Sequence, residues 1–291
     1  MRVTESMIYE STKNSLSSTL SALQTITEKV SSAKQLNRPS DNPADVRSSV
    51  GINDTMVQLD QFVRNIDNAS SKVSAQDTAL SSASDLIQRA NELAIEGANG
   101  TLSPEQRQAI AAEAAQLTEA MAQDASAKVG SEYIFSGFHV DRAPYEVTGP
   151  GTVSTYQGDH GVVIARVGSA STMQVNMAGD DVFGSALAAL TQLQTDLTTG
   201  AVQPATITQI GQALDTIVQS RAIAGARANR LDEAKTSQQA LITSNQALLS
   251  QLEDTDMPAA ITEMTKRQTT YQATLAVTAK VMQTSLIDYL R

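Results

Sequence analysis

Residues able to do chemistry are sparse in this chain. Only two histidines occur in 291 residues, His139 and His160, and there is no cysteine. A metal centre draws together three or four His, Cys, Asp or Glu ligands. Neither histidine has a neighbouring pair of such residues at metal spacing, so both read as surface or turn residues. Asp159-His160 and Asp180-Asp181 could offer oxygens to a cation, but they lie in the turn signals Gly158-Asp159-His160-Gly161 and Gly179-Asp180, where turn chemistry accounts for them. Gly149, Gly151, Gly158 and Gly161 fall between short strands and lack the helix start that a phosphate loop needs. Without cysteine there is no thiol catalysis, thiolate metal site or disulfide. Nothing remains to act as nucleophile, base or metal ligand, so the expectation is a protein that is not an enzyme and uses no cofactor. One polar pair, Asn229-Arg230, sits on a helix where it can meet a carboxylate such as those of the Asp41 to Asp45 loop; on spacing alone it is a solvated face.

The elements around these residues are helices of unusual texture. Aromatics make up 3% of the chain and Trp is absent, so the core must be aliphatic and small, which suits close helix packing better than a ring-lined cavity. Net charge is −10 with no Lys/Arg cluster, which argues against nucleic acid and against an anionic membrane. No run approaches the roughly 20 apolar residues of a membrane span. Met1 to Leu23 lacks the apolar stretch of a signal peptide, so a route out of the cell would need no cleavable leader.

Heptad spacing marks the first helix at Tyr9, Leu16, Leu23 and Val30, with Leu20, Ile26 and Ala33 on the same face. At the other end, alternate steps of four and three give Met257, Ile261, Met264, Gln268, Tyr271, Leu275, Thr278, Met282 and Ser285. The amphipathic pattern continues through Leu286 and Tyr289 to Leu290. The first helix reads either as an ordinary amphipathic surface helix or as the partner of the last in a two-stranded coil.

Inside these ends lie two breaks. Pro39 disfavours helix at Arg38, and Asn42-Pro43 with Asp45 reads as an N-cap, a first-turn proline and a first-turn acid. The second break is Glu253 to Pro258. From Pro43 to about Glu96 runs a long helix on the stripe Met56, Leu59, Val63, Ile66, Ser70, Val73, Asp77, Leu80, Ser84, Ile87, Asn91 and Ala94; its polar members mark register control or partial exposure. Gly97 to Gly100 stops it. Ser103-Pro104-Glu105-Gln106 starts another helix, continued by Ile110, Ala114, Leu117, Met121, Ala125 and Lys128. Candidate strands follow at Glu132 to Phe135, Val153 to Gln157, Val162 to Val167 and Met173 to Met177. A helix from Phe183 to Leu197 and a last long one opened by Pro204 complete the interior, the latter on a face that includes Ile207, Ile210, Leu214, Ile217, Arg221, Ala224, Ala228 and Leu231.

The expected fold is mainly α: an elongated nested helical bundle with paired terminal coiled-coil helices and a small β-rich insertion. Residues 1–36 with 259–291 form the terminal coiled-coil domain, and 37–45 and 253–258 are linkers. Residues 46–130 with 204–252 form the long bundle, and 131–203 the insertion with its following helix.

This nested order carries a family resemblance. Met1-Arg2-Val3-Thr4, Asn37-Arg38-Pro39-Ser40-Asp41-Asn42-Pro43-Ala44, Tyr133-Ile134-Phe135-Ser136-Gly137-Phe138, Tyr156-Gln157-Gly158-Asp159, Gly225-Ala226-Arg227-Ala228-Asn229-Arg230-Leu231 and Leu252-Glu253-Asp254-Thr255-Asp256 stand in an order that resembles the flagellin-related axial proteins of bacterial flagella. Within that family the chain is most similar to the hook–filament junction (type 3 hook-associated) members, with Pro39 to Pro43 favouring them over flagellin. Position 33 carries Ala where both groups carry Gly. The resemblance implies terminal helices in an inner tube wall, a bundle in the next shell and a β insertion facing outward. It also implies a ring of identical subunits joining hook-associated protein type 1 to flagellin, an export chaperone, and type III export to the extracellular flagellum. The implied assembly interface is Leu16, Leu20, Leu23, Ile26, Val30, Ile261, Met264, Leu275, Met282, Leu286 and Leu290. The hinge is Arg38, Pro39, Asp41, Pro43, Asp254, Asp256 and Pro258, and Asn229 and Arg230 make a polar contact. The alternatives are flagellin itself and, more remotely, a soluble helical signalling or binding module.

Overall fold

The structure is a computed structural model that describes the backbone of residues 5–289 and the side chains of Met7 and of Tyr9 to Lys280. Its elements are α1 (Glu5–Ser32), α2 (Pro43–Gly97), α3 (Pro104–Ala125), β1 (Lys128–Val129), β2 (Glu132–Tyr133), β3 (Val147–Gly149), β4 (Thr152–Val153), β5 (Ile164–Arg166), β6 (Thr172–Gln174), α4 (Gly179–Thr199), α5 (Pro204–Glu253) and α6 (Met257–Tyr289). The mainly α class with short antiparallel strand pairs agrees with the sequence reading. The chain resolves into two compact units, Leu59–Ala240 and the remainder, residues 1–58 with 241–291. Both dividing points fall within the longest helices, α2 and α5.

Helix starts follow the capping residues. Asn42 Oδ1 accepts from the backbone N–H of Ala44 (3.1 Å) and Asp45 (3.4 Å), and Pro43 takes the first helical position, where its missing N–H costs nothing. Ser103 closes a capping box: its hydroxyl accepts from Gln106 N at 3.2 Å while Gln106 Oε1 accepts from Ser103 N at 2.8 Å. Asp256 Oδ1 accepts from Ala259 N at 3.2 Å and starts α6. α3 ends at Ala125, short of the expected Lys128. Its last residues feed a tight hairpin, β1 with β2, that turns at Gly130 with φ +62°.

The Leu59–Ala240 unit holds one continuous apolar core built from α2, α3, α4, α5 and the hairpins. Ile66, Val73, Leu80, Ile87 and Ala94 of α2 are buried, as are Ile210, Ile217, Ala224 and Leu231 of α5. Each of these ladders lies on its expected stripe. The companion ladder differs in both helices. In α2 it is Phe62, Ala69, Gln76, Ala83 and Ala90, rather than Val63, Ser70, Asp77, Ser84 and Asn91; in α5 it is Thr206, Ala213 and Ser220, rather than Ile207, Leu214 and Arg221. Of the displaced positions, Ser84 is also buried. Small side chains let these helices approach closely, so Ala and Ser hold the inward positions that bulk would have suggested for their neighbours. Asp196 fixes the α4–α5 turn, accepting from Gln203 N (3.0 Å), Thr206 Oγ1 (2.6 Å) and Gln192 Nε2 (2.8 Å). Burial pushes its pKa up, but these three donors outweigh that and hold it below the ordinary aspartate value.

Candidate assembly interface

In the unit of residues 1–58 and 241–291, α1 packs along α6. The half-buried positions of α1 are those of a heptad seam: Leu16, Leu23 and Val30 on one ladder, Thr12, Thr19 and Ile26 on the other. On α6 the matching positions are Met257, Met264, Tyr271 and Thr278 with Ala260 and Thr274. Hydroxyls in the seam bond within their own helix, Thr19 Oγ1 to Ser15 O at 2.7 Å and Thr278 Oγ1 to Thr274 O at 2.7 Å, which satisfies them without adding cohesion between helices.

The predicted stripe is therefore divided. Met264, Tyr271 and Thr278 face the seam, whereas Ile261 and Leu275 lie one position off it, 47% and 41% exposed; Leu20 on α1 is likewise 38% exposed. Val277 adds a further apolar side chain at 61%. Met282 and Leu286 fall on helical backbone whose side chains lie outside the described residues, and Leu290 lies outside them entirely. Across this unit Ala260 is the one buried apolar residue among the described residues. A helix pair with so little covered surface gains little from burial, at roughly 25 cal/mol per Å² of apolar area removed from water.

The chain just after α1 meets the second break of the helical pattern. Gln35 N donates to Glu253 O at 2.6 Å and Thr255 N to Ala33 O at 3.0 Å, forming a short antiparallel bridge between Lys34 and Asp254. Ala33 turns the chain into this bridge with φ +56°, a left-handed conformation that favours Gly and costs Ala about 1 kcal/mol. The Glu253 carboxylate accepts from Lys34 Nζ at 2.6 Å and from the buried Ser49 Oγ. Lys34 and Ser49 together hold the Glu253 pKa below the ordinary 4.5, and the same pairing raises that of Lys34. Ser250 Oγ donates to Asp254, and Asp256 caps α6 with Pro258 in its first turn.

The first break has its own support. Asp41 Oδ2 accepts from Asn37 N (3.1 Å) and Arg38 N (2.9 Å), two donors that lower its pKa, and Asp41 N donates to Arg38 O at 3.0 Å across the Pro39-Ser40 turn. Arg38 reaches back to Glu28 at 2.8 Å. Lys34 and Ser49 were not given a role from sequence, and Glu253 only as the first residue of the second break; their convergence over 219 and 204 residues of chain is what the structure adds.

In the Leu59–Ala240 unit, the remaining motifs form a second junction. The single proton of Tyr156 OH is shared between two carbonyls within reach, Phe135 O (2.8 Å) and Asp159 O (2.9 Å), Asp159 Oδ1 accepts from Phe138 N (2.8 Å) and Gly161 N (2.7 Å), and Phe135 packs edge-on against Phe183 at 4.9 Å. Gly137 has φ +71°, and a Cβ there would stand 2.1 Å from Asp159 Oδ1. His139 stands 3.5 Å from Asp159, and His160 3.9 and 3.6 Å from Asp180 and Asp181; both histidines are exposed, and no group of three metal-ligating side chains occurs among the described residues. Asn229 and Arg230 are exposed on α5. The inward arginine of that motif is Arg227, whose guanidinium donates to Asn176 O at 3.0 Å and whose pKa burial lowers.

Residues 3–139 match the bacterial flagellin N-terminal helical region and residues 207–290 the bacterial flagellin C-terminal helical region, so the chain belongs to the flagellin-related family. Flagellar hook-associated protein 3 of Salmonella typhimurium is 28% identical over 186 residues, 64% of this chain and 57% of that protein's own length. The flagellar filament 30.7 kDa core protein of Treponema maltophilum is 28% identical over 257 residues, 87% of this chain and 86% of that one. Among solved structures, the flagellar junction protein FlgL from Legionella pneumophila superposes with a TM-score of 0.58 at 16% identity, covering 71% of this chain and 99% of that chain, which establishes likeness of fold. No described helix is long and apolar enough to cross a membrane.

Proposed function

We propose that this protein is a structural subunit of the bacterial flagellum, placed at the junction between hook-associated protein type 1 and the flagellin filament. Identical copies form a ring, and the terminal helices complete their folding only when neighbouring subunits cover them. The observation that carries this reading is the contrast between the two units: a continuous apolar core in Leu59–Ala240, and one buried apolar residue among the described residues of the helical ends. Side chains such as Ile261, Leu275, Leu20 and Val277 then find their partners in adjacent subunits, and ordering of α1 and α6 is coupled to polymerisation. Residues 37–45 and 253–258 act as the hinge between the assembling ends and the bundle, and Asn229 and Arg230 serve an inter-subunit contact. Export proceeds unfolded through the flagellar type III apparatus with a chaperone, to the extracellular flagellum.

A second reading is the filament subunit itself, favoured by the longer alignment with the Treponema filament core protein. Electron microscopy of flagella from cells lacking this protein separates the two. Hooks without filaments, together with excreted flagellin, fit the junction role. Loss of the protein that makes up the filament mass would assign it as flagellin, and normal filaments would exclude both. Limited proteolysis of the monomer tests the coupling: cleavage is expected before about Asn37 and beyond about Asp254 with a resistant middle. Resistance at both ends of a proven monomer would refute it.

A further inference from the structure

The turn between α2 and α3 holds the chain's one Asn-Gly step, Asn99-Gly100. Such a step carries its own electrophile and nucleophile. The electrophile is the carbonyl carbon of the asparagine side chain, and the nucleophile is the next backbone nitrogen, which no Cβ shields. Asn91, eight residues earlier in α2, lacks this arrangement: the N–H of Glu92 belongs to the helical ladder, and Glu92 carries a side chain.

The geometry of the turn favours reaction between the two. Asn99, Gly100 and Thr101 are exposed, so water and hydroxide reach them. The Gly100 N–H has no hydrogen-bond partner among the described residues, although the amides around it do: Asn99 N donates to Glu96 O at 3.0 Å and Leu102 N to Asn99 O at 3.3 Å. Asn99 Oδ1 accepts from both Thr101 N (3.2 Å) and Thr101 Oγ1 (2.8 Å). These bonds draw electrons from Asn99 Cγ and set two donors on the oxygen that turns negative when Cγ is attacked.

We propose that Asn99 is a site of spontaneous covalent modification, converted to aspartate and isoaspartate by the chemistry of its own turn. Hydroxide takes the Gly100 amide proton, the nitrogen attacks Asn99 Cγ, and the carbonyl electrons move to Oδ1 beneath the two Thr101 donors. The Cγ–Nδ2 bond then breaks, ammonia leaves with a proton from water, and a succinimide ring remains. Water opens the ring at either carbonyl: attack at Cγ gives aspartate, and attack at the main-chain carbonyl gives isoaspartate. Each product adds one negative charge to a chain of net charge −10, beside the carbonyl end of α2, where the helix dipole disfavours it. Isoaspartate also takes the Asn99 carbonyl, which Leu102 N bonds, out of the main chain. Leu102 packs against the core, so conversion loosens the turn at the edge of the bundle.

The test is incubation of the purified full chain in neutral and mildly alkaline buffer, followed by tryptic digestion and mass spectrometry. The peptide from Ala90 to Arg107 contains both Asn99 and Asn91, the latter as an internal control. Asn99 is expected to gain about one dalton at a rate proportional to hydroxide, with chromatography resolving the aspartate and isoaspartate forms, while Asn91 stays unchanged. Thr101→Val removes one of the two donors and is expected to slow conversion about fivefold. Gly100→Ala crowds the attacking nitrogen and is expected to slow it at least about tenfold. That variant keeps the fold, because a Cβ at position 100 meets nothing within 4 Å and the backbone there is not left-handed, so its thermal midpoint should not move. Conversion confined to the chain in denaturant, conversion of Asn91 at the rate of Asn99, or an undiminished rate in either variant would overturn the proposal.

Discussion

Glu253→Ala removes the side chain on which Lys34 and Ser49 converge, and its cost can be worked out from the geometry. The pair with Lys34 is short at 2.6 Å, but Lys34 is 52% exposed, so screening limits its worth to about 0.5–1 kcal/mol. Ser49 is 6% exposed, and its hydroxyl would lose a charged acceptor inside the fold, at about 1–2 kcal/mol. The loss is therefore about 2 kcal/mol, or roughly a 30-fold larger opening constant. Native-state amide exchange at Gln35 and Thr255 reads it directly, because those two N–H groups make the bridge. Glu253→Gln keeps an acceptor for Ser49 and loses only the charge, so its exchange should rise about fivefold, for about 1 kcal/mol. The pH dependence has a definite sign. The carboxyl is held below its ordinary 4.5, so its stabilisation is complete above that value and fades as pH falls through the lowered pKa. Lys34, raised from 10.5 by the same pair, stays protonated throughout that range, so the pair is lost at the acid end by protonation of Glu253 and at strongly alkaline pH by deprotonation of Lys34. Unchanged exchange at both amides in Glu253→Ala would refute the role given to this carboxylate.

Other outcomes follow from single positions. Ala33→Gly should relieve the left-handed strain at φ +56° and slow exchange at Thr255 about fivefold, for about 1 kcal/mol. Ser103→Ala, which opens the capping box of α3, should destabilise the Leu59–Ala240 unit by about 1 kcal/mol in denaturant titration. Gly137→Ala combines φ +71° with a 2.1 Å approach to Asp159, and should cost more than about 2 kcal/mol in the same titration. Leu275→Asp should leave the thermal unfolding of that unit unaltered and abolish attachment to the filament; retained attachment would count against the proposed interface.

Element boundaries were legible wherever a side chain acts on its own backbone. Asn42-Pro43 and Ser103-Pro104 start their helices as read, because capping is a local bond between residues two to three apart. Position 33 stood out only through the resemblance, as Ala where the family carries Gly, and the left-handed turn it occupies was not read from the sequence. The clasp was not legible, since nothing local distinguishes Glu253 from other acids at helix ends. β1 and β3 were missed for a related reason. Two- and three-residue strands carry no periodicity, and they are held by bonds from outside such as Gly151 N to Glu119 Oε1 at 3.0 Å.

The more instructive departure lies in the seams. In α2, α5 and α6 the ladder of every seventh large residue was found, and the companion ladder was displaced by one position toward larger or more polar neighbours. Gln76 shows why in the bundle: it is 1% exposed and its amide donates to Val175 O at 3.0 Å, a tertiary contact that no hydropathy pattern weights. In α6 the same displacement has a different meaning. There the inward companions are Ala260 and Thr274, while Ile261 and Leu275, which a search for apolar residues selects, stand off the seam. In α2 the off-seam positions Ser70, Asp77 and Asn91 are polar, as a solvated flank requires, while Val63 there and Ile207 and Leu214 on α5 are aliphatic and half-buried. On α6 two of them, Ile261 and Leu275, are branched aliphatics left exposed, with the polar Gln268 between them. Leu20 repeats the arrangement on α1 at 38% exposure. On the reading proposed above, Ile261, Leu275 and Leu20 are the exposed apolar residues of the end helices that a neighbouring subunit covers.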